Sequence, residues 1–324
     1  MNDFIIIYLN SIDTKKIGRG IDTNSIKYKI LSFFYNSITD YPKMITTENK
    51  QFDAKFNVML SFFNKFTAQD NLRNRIYRKE KNINWLFFEA NPLARYRKYK
   101  YNIKNEYIRV CFGSVYHSKS KYIKTINRWV SIKNKTGIEV LPWRENGKHI
   151  LIILNSCKHC GYSMKNECIH GWVNNTIKEI RENGCKREIR LRFKCQYDDV
   201  SIINEEMIKI SHKNEIYNYI DPIGNMTISI SDKLGLLEEL KDAWASIVYS
   251  TSACVISIIM GIPVFVGSKD AITYDISTTD LSKIEEPYMP QRDEFFHKLS
   301  NQLWSLKEIK EGLLWKEVKN YYEF

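Results

Sequence analysis

Residues 246–266 read SIVYSTSACVISIIMGIPVFV. The opening four are short, mostly apolar and β-rich, the pattern of a buried strand. Ser250, Thr251 and Ser252 follow, hydroxyl residues of the kind that cap a helix. Ala253 to Met260 is an almost wholly apolar helical stretch, Gly261 stops it, and Pro263 opens a second strand where its missing N–H is tolerated. Strand, polar turn, helix and strand make one βαβ crossover, the repeating unit of a parallel α/β sheet. The start of such a helix has unpaired N–H groups and the positive end of the dipole. A phosphate over Ser250 to Ala253 would be well held there. The same pattern equally describes a plain core crossover.

The alternation continues toward the N-terminus. HILIILN (His149–Asn155), EIRLRFK (Glu188–Lys194) and Met226–Ser231 read as strands, with helices predicted over Gly171–Asn183 and Leu234–Trp244. Further forward, Phe4–Leu9, NWLFFE (Asn84–Glu89) and YIRVCF (Tyr107–Phe112) are strand candidates, and the spacing predicts helices around Ser25–Tyr35 and Phe52–Lys65. A break fits best within Val140–Gly147. Gln291–Tyr322 reads as two amphipathic helices separated by Gly312. The expectation is an α/β protein with parallel sheets in two domains, 1–143 and 144–290. Residues 291–324 are then C-terminal helices packing back on the first.

A chain of 324 residues, 44% hydrophobic, can bury two ordinary cores. Its longest apolar run, Ala253–Val266, is shorter than the roughly 20 residues of a membrane span and is broken by Gly261 and Pro263. Phe4–Leu9 lacks the basic flank and cleavage site of a signal peptide. Seven cysteines without an export signal fit a reducing compartment, so the expected location is cytoplasmic. The net charge of +12 is unevenly spread: residues 1–143 hold 26 Lys or Arg against 11 Asp or Glu, the remainder 23 against 26. A basic front half suits a polyanionic partner, a glycan or a nucleic acid; a lysine-rich composition on solvated surfaces would give the same count.

Ligands of open parallel sheets bind outside the carboxyl ends of the strands, so the loops there are the candidate site. Three are informative. The loop after His149–Asn155 carries Gly161 and Ser163 within GYSM. The strand Glu188–Lys194 places Arg190, Arg192 and Lys194 on one face. The third loop is Ser250, Thr251 and Ser252. Together they would cradle a nucleotide diphosphate, although alternating cations also describe a strand's solvent face. Cys157, Cys160, Cys168 and His170 are soft ligands within one short loop and suit structural zinc, against the simpler reading of reduced thiols with no metal. The run Arg95–Tyr101 interleaves cations with tyrosines, as a nucleic-acid grip or an edge strand does.

The sequence resembles GT-B-type glycosyltransferase-like proteins of phage and bacterial genomes. The residues that carry the likeness are LPWRENGKHILI (Leu141–Ile152), GYSM (Gly161–Met164), REIRLRFK (Arg187–Lys194), Ser250–Val266 and the tail Asp280–Trp315. The tail has a Pro-Arg pair, a Gln-Trp element and Glu308-x-x-x-Gly312. WLFFEANPLARY (Trp85–Tyr96) is a looser match. The resemblance implies two Rossmann-like domains with parallel sheets facing a central cleft, a nucleotide-sugar donor in the rear domain and a glycan or other anionic acceptor in the front one. No obligatory cofactor is implied. Glu89, at a predicted strand end, is the candidate catalytic base; a carboxylate there also serves as a cap or ion-pair partner. Two departures stand out: Ile256 occupies the place of a ribose-binding carboxylate, and Leu303 separates Gln302 from Trp304. A DNA-base-modifying glycosyltransferase and a non-catalytic nucleic-acid-binding protein with a degenerate GT-B fold are the alternative readings.

Overall fold

The computed structural model describes residues 2–8, 26–46, 54–60, 85–96, 107–113, 127–154, 169–193, 199–202, 204, 206–212, 215–230 and 235–322. They form two compact units, Met1–Thr136 with Phe296–Phe324, and Gly137–Phe295.

The first unit is built from strands β1 (Asn2–Tyr8), β2 (Lys43–Thr46), β3 (Ala54–Leu60), β4 (Trp85–Glu89) and β5 (Tyr107–Phe112), with helices α1 (Ile26–Ser37) and α2 (Asn127–Thr136). β2, β1, β3 and β4 lie side by side, all parallel, and β5 adds antiparallel to β4. Ile5, Ile7, Phe56, Val58, Leu86 and Phe88 line one face of this sheet, and Leu31 and Phe34 of α1 join them in the core. β3 corrects the helix expected over Phe52–Lys65. A central parallel strand is buried on both faces and loses its period-two alternation, so its pattern cannot be told from a buried helix. Asn57, inside that strand, accepts a hydrogen bond from the Tyr8 hydroxyl (3.1 Å).

The second unit contains, in order, β6 (His149–Ile153), α3 (Ile169–Glu182), β7 (Glu188–Phe193), β8 (Asp199–Ile202), β9 (Met207–His212), β10 (Glu215–Ile220), β11 (Met226–Ile230), α4 (Leu236–Leu240), β12 (Ala243–Val248), α5 (Ala253–Ile259) and β13 (Val264–Val266). Five of these strands form one wholly parallel sheet in the order β11-β7-β6-β12-β13. Counted along the chain that is third, second, first, fourth, fifth, the doubly wound order of nucleotide-binding folds. Val173, Ile177 and Ile180, spaced by four and three on α3, join Ile150, Ile152, Ile189 and Leu191 in the core of this unit.

β8, β9 and β10 form a separate antiparallel sheet within the crossover from β7 to β11, which the sequence pattern does not reveal. α3 holds it. Asn174 Nδ2 donates to Asn218 O (2.8 Å) while its Oδ1 accepts from Ile220 N (3.4 Å), and Arg181 grips Asp221 with two hydrogen bonds of 2.8 Å. The edge of β10 is thereby engaged by side chains rather than left open.

The break expected within Val140–Gly147 falls earlier, after Thr136, because Leu141 to Gly147 is bound into the second unit. Leu141 N donates to Ile259 O (2.8 Å), Arg144 N to Gly261 O (2.7 Å), and Arg144 Nη1 to Leu240 O and Ala243 O. Gly261 has φ +72°, and a Cβ on it would lie 1.9 Å from Pro142 O. Both its conformation and its neighbour demand glycine.

The tail runs through α6 (Asp293–Asn301), β14 (Leu303–Ser305), α7 (Leu306–Lys310) and α8 (Leu313–Tyr322), and from Phe296 onward it belongs to the first unit. β14 pairs antiparallel with β5 and completes a six-stranded sheet. The residues that carry the tail's resemblance are joints here. Gln302 Oε1 accepts from Arg109 Nε (2.8 Å), and Trp304 lies 5.3 Å beneath the Arg128 guanidinium. Glu308 closes a capping box with Ser305 and accepts two hydrogen bonds from Arg128 (2.6 and 3.0 Å); Gly312 turns the chain at φ +78°.

Candidate functional site

The strand order of the second unit reverses between β6 and β12, so the carboxyl ends of those two strands frame the crevice where doubly wound sheets take their ligands. Residues 155–168, after β6, lie outside the described residues; they include Gly161, Ser163, Cys157, Cys160 and Cys168. The loop after β12 is Tyr249, Ser250, Thr251 and Ser252, followed by α5.

Within that loop the three hydroxyl residues do different work. Thr251 is buried, and its Oγ1 faces Ala253 N at 3.4 Å, a local turn that shapes the entry to α5. Ser252 has helical φ/ψ and makes no side-chain cap bond. Ser250 and Ser252 are half-buried, at the surface of the loop. α5 itself is two turns long and buried along its whole length, Ile256 included. The place the resemblance reserves for a ribose carboxylate therefore points into the core, where a charge would be costly.

Two aromatic residues missed by the sequence reading complete this end of the sheet. Trp172, near the start of α3, meets Tyr249 edge to face (5.4 Å between ring centres, 82°), and Ile169 packs against both. The indole also lies against Gly267, just beyond β13, whose own N–H bonds Val248 O at 2.8 Å. The sequence signal was a glycine straight after an apolar strand, which marks close approach of another group to the backbone. Exposed Lys269 sits in the same post-β13 loop.

Glu188, Arg190 and Arg192 project from one face of β7, but each cation is already engaged. Arg190 bonds Glu188 twice (2.9 and 2.7 Å), and Glu188 in turn accepts from Thr227 (2.5 Å). Arg192 is buried in an ion pair with Glu239 of α4. Both pairs lie on the sheet face, with Arg192 opposite Ile153 at the carboxyl end of β6. The polar face also holds His149, whose Nε2 lies 3.0 Å from Glu239 O. Burial, with Arg190 nearby, pushes that imidazole down to about 4, so it is neutral at pH 7.

In the first unit, Glu89 ends β4 directly opposite Arg109 of β5, with Gln302 beyond it. The register thus gives this candidate base a cross-strand cation as neighbour. Arg95 closes a short 3-10 turn whose start is capped by Asn91, and residues 97–101 of the cation-tyrosine run lie outside the described residues. His170 is described: its Nδ1 contacts the Tyr219 hydroxyl, and its ring stacks on Tyr217 at 3.5 Å. Cys111, Cys185 and Cys254 are buried cysteines. Among the described residues, no group of three or more His, Cys, Asp or Glu could hold a metal ion, and no helix is long and apolar enough to cross a membrane.

No family model and no curated protein matches the chain. Among solved structures it is similar to Thermosulfurimonas dismutans KpsC, a beta Kdo 2,7 transferase, with 11% identity and a TM-score of 0.48 over 97% of this chain and 100% of that one. It is also similar to the glycosyltransferase SnogD from Streptomyces nogalater, with 9% identity and a TM-score of 0.28 over 56% of this chain and 41% of that one.

Proposed function

We propose that the chain is a GT-B-type glycosyltransferase-like enzyme that binds a nucleotide-activated sugar in its second unit and transfers the sugar to a glycan or other anionic acceptor. The observation that carries this reading is the five-stranded order β11-β7-β6-β12-β13, with the hydroxyl loop Ser250–Ser252 at the point where the order reverses. Ser250 and Ser252 are the hydroxyls available to a donor phosphate, and Thr251 shapes the loop that presents them. Arg190 and Arg192 are paired with Glu188 and Glu239, and exposed Lys269, in the loop after β13, is a further candidate cation for the departing diphosphate. The basic residues 1–143 suit an anionic acceptor.

The direct test is thermal unfolding with UDP, GDP, CMP and ADP in turn. A nucleotide that binds only the folded chain at 100 times its Kd adds about 2.7 kcal/mol of stability, a rise of several degrees. No rise with any nucleotide, together with salt-dependent binding of DNA, would replace this reading by the nucleic-acid-binding one.

A further inference from the structure

We infer that Trp172 is a positioning residue for the loop Tyr249–Ser252, and that Gly267 is glycine so that the indole can lie where it does. The local geometry carries the inference. A Cβ on Gly267 would fall 2.8 Å from each of Trp172 Cε2, Cζ2 and Nε1, closer than carbon atoms approach without one of them moving. The indole therefore rests on the backbone at the end of β13. The same side chain meets Tyr249 edge to face. Tyr249 directly precedes Ser250, and Gly267 N is tied to Val248 O just before it.

Trp172 thus joins the start of α3, the end of β13 and the first residue of the hydroxyl loop. Aromatic pairs in this edge-to-face geometry add stability beyond the area they bury. The consequence for nucleotide affinity rests on the function proposed above; the effect on loop order does not.

The test separates the two. Gly267 has no positive φ, and the group a methyl would strike is a side chain, so Gly267→Ala is expected to fold with the indole displaced. Amide hydrogen exchange of the peptide spanning residues 249–253 should quicken about tenfold, since losing about 1.4 kcal/mol of local order changes an equilibrium by that factor. Trp172→Phe in the Gly267→Ala background removes the atoms that meet the new methyl while keeping a ring for Tyr249, and should restore slow exchange. Trp172→Ala alone should quicken it without any change at 267.

If a nucleotide from the panel binds, Gly267→Ala should weaken its Kd and Trp172→Phe should recover it, whereas a merely structural contact would lower the ligand-free Tm and leave Kd alone. Unchanged exchange at 249–253 in both Gly267→Ala and Trp172→Ala overturns the positioning role, whatever binds. Altered exchange with no nucleotide bound leaves the positioning role standing and overturns the proposed function.

Discussion

Arg192 and Glu239 form an ion pair that solvent scarcely reaches, the two residues being 7% and 1% exposed. Two charges buried together must offset a large desolvation cost through each other, so removing one strands its partner. Glu239→Leu should therefore cost about 3–5 kcal/mol in urea unfolding. The double variant Arg192→Leu with Glu239→Leu should recover most of that loss. Equal losses in the single and the double variants would show that the pair is not what the site needs.

Gly261 and Gly147 differ from Gly267 in what a methyl would strike. At Gly261 it would meet Pro142 O at 1.9 Å with φ at +72°, and at Gly147 it would meet Trp244 Cα and N at 2.4 Å. Backbone cannot step aside as a side chain can. Gly261→Ala and Gly147→Ala should each destabilise the second unit by more than the roughly 1 kcal/mol typical of point variants, read as a lower Tm. A Tm within a degree of the parent for either would contradict the packing described.

Glu317 of α8 is 5% exposed, its Oε2 has no hydrogen-bond partner among the described residues, and burial pushes its carboxyl up to about 7. An acid whose pKa is raised by folding lends stability below its ordinary value near 4.5 and loses it as pH climbs through 7. Glu317→Gln, which resembles the protonated acid, should match the parent at pH 4 and exceed its Tm at pH 8. A difference of the same size at both pH values would mean that ionisation is not its source.

Much of the second unit was legible because its parallel strands are either short apolar runs, as His149–Ile153 and Val264–Val266 are, or alternate apolar with polar residues, as Glu188–Phe193 and Met226–Ile230 do. β3 was misread for the opposite reason: buried on both faces, it leaves no alternation by which to tell strand from helix. The β8–β10 sheet escaped because its short strands are placed by contacts with α3 that no local pattern records: Ile208, Ile210 and Tyr219 share a core with Val173 and Ile177, and Asn174 and Arg181 bond β10 and Asp221. At the candidate site, Ser250–Ser252 could be read from the hydroxyl run, but the fate of Arg190 and Arg192 could not. Glu188 is two residues from Arg190 and easily seen, whereas Glu239 lies on another element and meets Arg192 only in the folded unit.

The hydroxyl loop itself makes the last prediction. Ser252 has no cap bond and Ser250 is half-buried at the surface, so replacing both with alanine should leave the ligand-free Tm unchanged. Hydrogen bonds to a charged group are worth roughly 1.5–3 kcal/mol, so losing them should weaken nucleotide binding about tenfold or more. Thr251→Ala should act in the reverse sense. Its Oγ1 faces Ala253 N at the start of α5, and its loss should cost about 1 kcal/mol of stability, as lost caps do. Calorimetric titration of the bound nucleotide against both variants, alongside their melting curves, separates presentation of the ligand from construction of the loop. Unchanged affinity in Ser250→Ala with Ser252→Ala would take the loop out of the site.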